Sequence, residues 1–208
     1  MTSVLYFHGF ASSPASAKIT ALRPLLAPRG IELHTPDLNV PSFEKLSFAA
    51  TVETALEEGR RVAPRAMVGS SLGSLIAIAA AKRGLAVPLV LIAPAIGVVH
   101  RWMETLPEGD PVTVFNFARN ADALIHRSFF EEMSALRVDQ TPPPCPVTAI
   151  MGREDTTVPF AMVEERWREW ESSGQLVAGS RFIEVAEGDH SLVEHARIIE
   201  EAIVEAAR

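Results

Sequence analysis

At 208 residues, 48% hydrophobic and 22% charged, the chain has room for one domain with a substantial core, which excludes the disordered and collagen-like classes. A net charge of −7, with no basic cluster denser than Arg60, Arg61 and Arg65, argues against a nucleic-acid surface. The single Cys145 cannot form an internal disulfide, the Met1–His8 start lacks signal-peptide character, and no apolar run nears the roughly 20 residues of a membrane span; a soluble, cytoplasmic protein with no membrane partner is expected.

Short apolar runs alternate with longer helical patterns, the arrangement of a parallel sheet covered by helices on both faces, so the expected fold class is α/β. Val4 to Phe7 reads as a first strand, followed by a turn at His8-Gly9-Phe10. Ser13 and Pro14 predict a helix start, N-cap then proline, with Ile19, Leu22, Leu25 and Leu26 on the buried face. Ile31 to His34 is a second strand, and Ser42 is expected to cap a helix reaching about Arg60. Ala66 to Gly69 is a buried strand that runs straight into a helix from Leu72 to about Arg83, and Pro88 to Ile92 is the fourth strand.

From about Gly97 to Thr141 the alternation stops, and the length and aromatic content of this segment predict a small helical cap inserted in the single domain. Val147 to Met151 is the fifth strand, Pro159 opens a helix reaching about Trp170, and Arg181 to Val185 is the sixth strand. Ser191 with Glu194 predicts a capping box for a last helix bearing Val193, Ala196, Ile199 and Ile203.

Chemistry concentrates at strand ends. Gly69-Ser70-Ser71-Leu72-Gly73 lies between a strand and a helix, the context in which a G-x-S-x-G turn presents a nucleophile. The sharp turn strains the serine, and glycines two before and two after it remove side chains that would collide; Ser71 has both, whereas Ser70 does not. The backbone N–H of Leu72, at the helix start, is one expected oxyanion donor, and that of Phe10, after the first strand, is the other. Gly9 lets that loop pass close to the reaction centre, and His8 is expected to order it.

A serine hydroxyl needs an imidazole to take its proton and a carboxylate to orient the imidazole. Asp155 follows the fifth strand and His190 the sixth, in the chain order Ser, acid, His; Glu154 and His195 are the rivals, the latter expected inside the last helix. His34, His100 and His126 lack a comparable strand-end position. No metal-ligand spacing, P-loop or G-x-G-x-x-G occurs, so neither metal nor cofactor is expected.

With Tyr6-Phe7-His8-Gly9-Phe10, Ser12-Ser13-Pro14, Ser16-Ala17-Lys18, the Ser71 turn, Gly152-x-x-Asp155-x-x-Val158-Pro159 and Gly188-x-His190, the chain resembles the α/β-hydrolase superfamily and, within it, the small YqiA-like esterases. The resemblance implies a three-layer sandwich around a trimmed six-stranded parallel sheet, a triad of Ser71, Asp155 and His190, and Phe10 and Leu72 as oxyanion donors. One departure is Ser74, where that group commonly has a second glycine. The expected activity is hydrolysis of small or medium acyl esters through an acyl-enzyme, with Trp102, Phe115, Phe117, Phe129 and Phe130 as candidates for the acyl pocket. A thioesterase or acyltransferase would use the same residues; a serine peptidase or a non-catalytic small-ligand receptor on this fold are further alternatives. Ser71 argues against the dehalogenases and epoxide hydrolases, which carry Asp there.

Overall fold

The computed structural model describes residues 1–208. In chain order, β1 (Thr2–Phe7), α1 (Ala17–Leu26) and β2 (Ile31–His34) lead to α2 (Phe48–Val62), β3 (Ala66–Ser70), α3 (Leu72–Lys82) and β4 (Leu89–Ile92). The insertion holds α4 (Val99–Thr105), β5 (Val112–Asn116), β6 (Ala121–Ile125) and α5 (Ser128–Leu136); β7 (Val147–Gly152), α6 (Phe160–Ser172), β8 (Arg181–Val185) and α7 (Ala196–Ala206) complete the chain.

Six strands form one parallel sheet in the order β2-β1-β3-β4-β7-β8, the six expected from the apolar runs. Every residue of β3, β4 and β7 is buried, as parallel strands covered on both faces require. The outer strands β2 and β8 keep exposed or half-buried positions. Pairing of Tyr6 with Val68 and of Phe7 with Gly69 brings the carboxyl ends of β1 and β3 level. The loop after β1 therefore lies beside the turn after β3. Helix α3 is buried from Leu72 to Ala81, and its alanines let it approach the sheet closely behind that turn. No helix is long and apolar enough to cross a membrane.

Four expected local features differ. Helix α1 begins at Ala17 rather than at Ser13-Pro14, because Ser13 Oγ accepts from the Ala15 N–H and Ser13 C=O accepts from the Ser16 N–H, closing a local turn instead. Helix α2 begins at Phe48, capped by Ser47, whose Oγ accepts from Ala50 N–H; Ser42 Oγ instead accepts from Lys45 N–H in a preceding turn. Helix α7 begins at Ala196 with His195 at its N-cap, and Ser191 makes no capping box: its hydroxyl donates to Asp189, which also accepts from Leu192 N–H. The insertion is not all helical, since β5 and β6 form an antiparallel hairpin pairing Val112 with Ile125 and Asn116 with Ala121.

The ends of the insertion are fastened together. Gly97 N–H donates to Asp139 Oδ2 at 2.6 Å, Trp170 Nε1–H donates to the Asp139 carbonyl, and Lys82 Nζ donates to the carbonyls of Val138 and Thr141. In its middle, the Glu132 carboxylate of α5 sits on the amino end of α2, accepting from Phe48 N–H at 2.8 Å, Ala49 N–H at 3.0 Å and the Ser47 hydroxyl. A carboxylate there satisfies donors that have no partner within the helix and meets the positive end of its dipole. Val112, Ile125, Phe129, Phe130 and Met133 from the insertion join the same apolar cluster as the sheet and α3.

Candidate active site

Ser71 occupies the junction of β3 and α3 with φ +52° and ψ −120°. A non-glycine residue in that region costs about 1–3 kcal/mol and persists only where its surroundings dictate it. Here they do. A Cβ on Gly69 would lie 2.5 Å from the Gly73 carbonyl oxygen, and one on Gly73 would lie 2.1 Å from the Phe7 carbonyl oxygen. Ser74, the departure from a second glycine, is fully buried and its hydroxyl donates to the Gly69 carbonyl at 2.9 Å, tying the first turn of α3 back across the elbow. The Ser71 N–H donates to the Ile92 carbonyl. Gly73→Ala is expected to cost at least about 3 kcal/mol, since backbone rather than a movable side chain blocks the methyl, lowering Tm by roughly 6–12 °C. A thermal melt within about 2 °C of the parent would contradict this packing argument.

The loop after β1 crosses directly over the serine. A Cβ on Gly9 would stand 3.3 Å from Ser71 Cβ and 3.9 Å from Ser71 Oγ, a tight approach that glycine eases, with no positive φ involved. The next N–H, that of Phe10, has no protein acceptor, and Leu72 opens α3 where N–H groups have none within the helix. Buried His8 makes no hydrogen bond to the serine. Its Nε2 accepts from Leu38 N–H at 3.1 Å, which places the ring proton on Nδ1 facing the Gly9 carbonyl at 2.9 Å. Burial lowers its pKa, opposed by the Gly9 carbonyl and by Asp37, so the ring is neutral at pH 7 and pins the β1 loop to the segment after β2.

Asp155 and His190 meet across two neighbouring strand ends. His190 Nδ1 lies 2.7 Å from Asp155 Oδ2, while Asp155 Oδ1 accepts from Thr157 N–H at 2.9 Å and Val158 N–H at 2.8 Å. The carboxylate is buried and the imidazole partly exposed. The two loops touch backbone to backbone: Glu154 N–H donates to the Gly188 carbonyl at 2.9 Å, and a Cβ on Gly152 would lie 2.1 Å from that oxygen. Glu154 itself is exposed. Of the other histidines, His34 at the end of β2 contacts Ser3 of β1, His100 is exposed on α4, and His126 pairs with Asp110 in the insertion. Ser71 Oγ has no hydrogen bond to His190; such contacts commonly tighten only around substrate.

Between the β1 loop and the insertion lies a cavity of about 10 Å³, lined by Gly9, Phe10, Leu46, Leu72, Ile76 and Phe129 among others, with room for a single water. Phe10 packs against Phe43, Phe129 and Phe130 at centroid distances of 5.7, 6.0 and 5.6 Å. Of the five aromatic side chains expected near an acyl pocket, only Phe129 lines this cavity. Phe130 is buried beside Phe129, Trp102 is half-buried in α4, and Phe115 and Phe117 meet edge to face on the exposed hairpin. Lys18, which no strand-end position marks, donates from Nζ to the His190 carbonyl at 2.7 Å.

A family model described as Uncharacterised protein family (UPF0227) matches residues 3–203. No curated protein matches the sequence. Among solved structures, one from Agrobacterium vitis S4 superposes with a TM-score of 0.82 at 21% identity, covering 100% of this chain and 88% of that one. Est1E from Butyrivibrio proteoclasticus with ferulic acid bound superposes with a TM-score of 0.78 at 16% identity, covering 99% and 87%. A monoacylglycerol lipase from Paleococcus ferrophilus follows with 0.75 at 15% identity, covering 99% and 93%.

Proposed function

This chain belongs to the uncharacterised protein family UPF0227 and has the α/β-hydrolase fold, and from that premise we propose that it is a serine hydrolase cleaving carboxylic esters of small acyl groups. The observation that carries the reading is the 2.7 Å Asp155–His190 pair on strand-end loops at the sheet edge where a strained Ser71 is displayed. The monoacylglycerol lipase among the structurally similar proteins lends support for an ester substrate.

In the proposed reaction Ser71 Oγ attacks the acyl carbon and its proton passes to His190 Nε2. Asp155 holds the Nδ1 proton and stabilises the imidazolium that forms. The carbonyl oxygen becomes an oxyanion at the N–H groups of Phe10 and Leu72. Collapse breaks the ester C–O bond, and the alcohol leaves with the proton from His190. Water then attacks the acyl-serine by the same route, releasing the acid and restoring Ser71. A thioester substrate would need no further residue, and an alcohol or amine in place of water would turn hydrolysis into transfer.

The cavity beside Phe10 and Leu72 supports a short acyl group, because it is small and walled by Phe129 and Leu46. In a nitrophenyl ester series, kcat/KM is expected to be highest for the shortest acyl groups, at about two to three carbons, and Phe129→Ala to move the optimum upward. An optimum at long chains in the parent protein would refute the size argument. No turnover across ester and thioester panels would refute the catalytic reading and return the chain to a ligand receptor.

A further inference from the structure

Lys18 is the one mostly buried cation beside the site that the proposed mechanism leaves unused. It is the second residue of α1, the helix that follows the Phe10 loop, yet its Nζ reaches across 172 positions to the carbonyl of His190. That bond is the only one made to the main chain of His190; the rest of its loop is held at Gly188 by Glu154 N–H and at Asp189 by Ser191 and Leu192. The charged groups that act on Lys18 are Asp155, from the loop after β7, and Asp189, from the loop after β8. The bond thus joins the helix that follows one oxyanion loop to the loop carrying the imidazole.

We infer that Lys18 is a positioning residue for the base: its ammonium, drawn toward Asp155 and Asp189, grips the His190 carbonyl and sets where the imidazole stands relative to Ser71 and the Phe10 N–H. The inference rests on the reading of His190 as general base. A plain tether would need only a neutral donor, whereas an ammonium taken out of water is costly to hold. The charge therefore has a use beyond the hydrogen bond itself. A charge-assisted donor holds a carbonyl roughly twice as strongly as a neutral one, and displacement of a catalytic group by about 1 Å can cost on the order of 100-fold in rate.

Burial pushes the Lys18 pKa down to about 8, with Asp155 and Asp189 opposing the shift. Activity and stability then respond to alkali with opposite signs. As pH rises through about 8 the amine loses its charge, slackens its hold on the His190 carbonyl, and turnover falls. Over the interval from about 8 to the ordinary lysine value of 10.5, the unfolded chain binds more protons than the folded one, so the contribution of Lys18 to stability rises with pH. A purely structural tether would show no such opposition.

The experiment compares the parent with Lys18→Met and Lys18→Arg, measuring kcat, KM and Tm from roughly pH 6 to 10 on the best ester. In Lys18→Met, kcat is expected to fall about 10- to 100-fold with KM changed less than about threefold. In Lys18→Arg, which stays charged throughout, part of kcat is expected to return and the alkaline limb near pH 8 to disappear. A folded Lys18→Met with parental kcat and pH profile overturns the inference. If Lys18→Met does not fold, Lys18→Arg decides: persistence of the limb overturns the inference and its loss supports it. His190→Ala separates the two levels, because its full activity would sink the base assignment, whereas its inactivity beside unaffected Lys18 variants would sink only the role of Lys18.

Discussion

Ser71→Ala is expected to lower turnover by about 10⁴- to 10⁶-fold while leaving the protein folded. The variant is unusually clean on structural grounds. Ser71 Oγ makes no hydrogen bond within the protein, so removing it orphans no partner. Alanine keeps the Cβ that packs beneath Gly9, and the strained φ of +52° is imposed equally on both residues by Gly69, Gly73 and the Ile92 carbonyl. Stability should therefore change by no more than about 0.5 kcal/mol. Steady-state kinetics with a circular-dichroism melt check both halves together. A fluorophosphonate probe should label Ser71 in the parent and nothing in the variant. Parental activity in Ser71→Ala, or labelling of Ser70, would remove Ser71 from the role of nucleophile.

Asp155→Asn is expected to cost about 10⁴-fold in kcat with little change in KM, through a tautomer rather than a displacement. Asp155 Oδ1 accepts two backbone N–H groups, from Thr157 and Val158, and Oδ2 faces His190 Nδ1. An asparagine must present its carbonyl oxygen to those two donors, which leaves its NH₂ pointing at Nδ1. The imidazole answers by moving its proton to Nε2, and a protonated Nε2 cannot accept from Ser71. The loop hydrogen bonds survive, so the melt should shift little. Nitrogen-15 imidazole shifts would show the exchanged tautomer directly. A fall in kcat of less than about tenfold would mean that Asp155 does not orient the base.

The six strands were readable because each is a short apolar run bounded by turn residues, and the innermost are buried on both faces along their whole length. The positions of Ser71, Asp155 and His190 at strand ends followed from that order. The errors share a cause. Ser13, Ser42 and Ser191 each read as the start of a helix, yet a serine hydroxyl satisfies a local turn just as well, and each does so here. The start of α2 at Phe48 is set by the Ser47 cap, a local signal passed over in favour of Ser42, and is reinforced by Glu132, 84 positions away, which no local pattern reveals. The hairpin at Val112–Ile125 was hidden because its aromatic side chains suggested a pocket lining, while Phe115 and Phe117 stand outside it. Lys18 was invisible as part of the site for the same reason as Glu132: its partner is set by how two loops converge, and the residues between them give no period to follow.

The seat of Glu132 on α2 gives the insertion an energetic address. For the insertion to lift away from the Phe10 loop, its carboxylate must leave the Phe48 and Ala49 N–H groups, and those donors then face water without a cap. Any parting of the insertion from α2 at this contact is thereby coupled to fraying of the first turn of that helix. Whatever steadies that turn therefore also steadies the seat of the insertion.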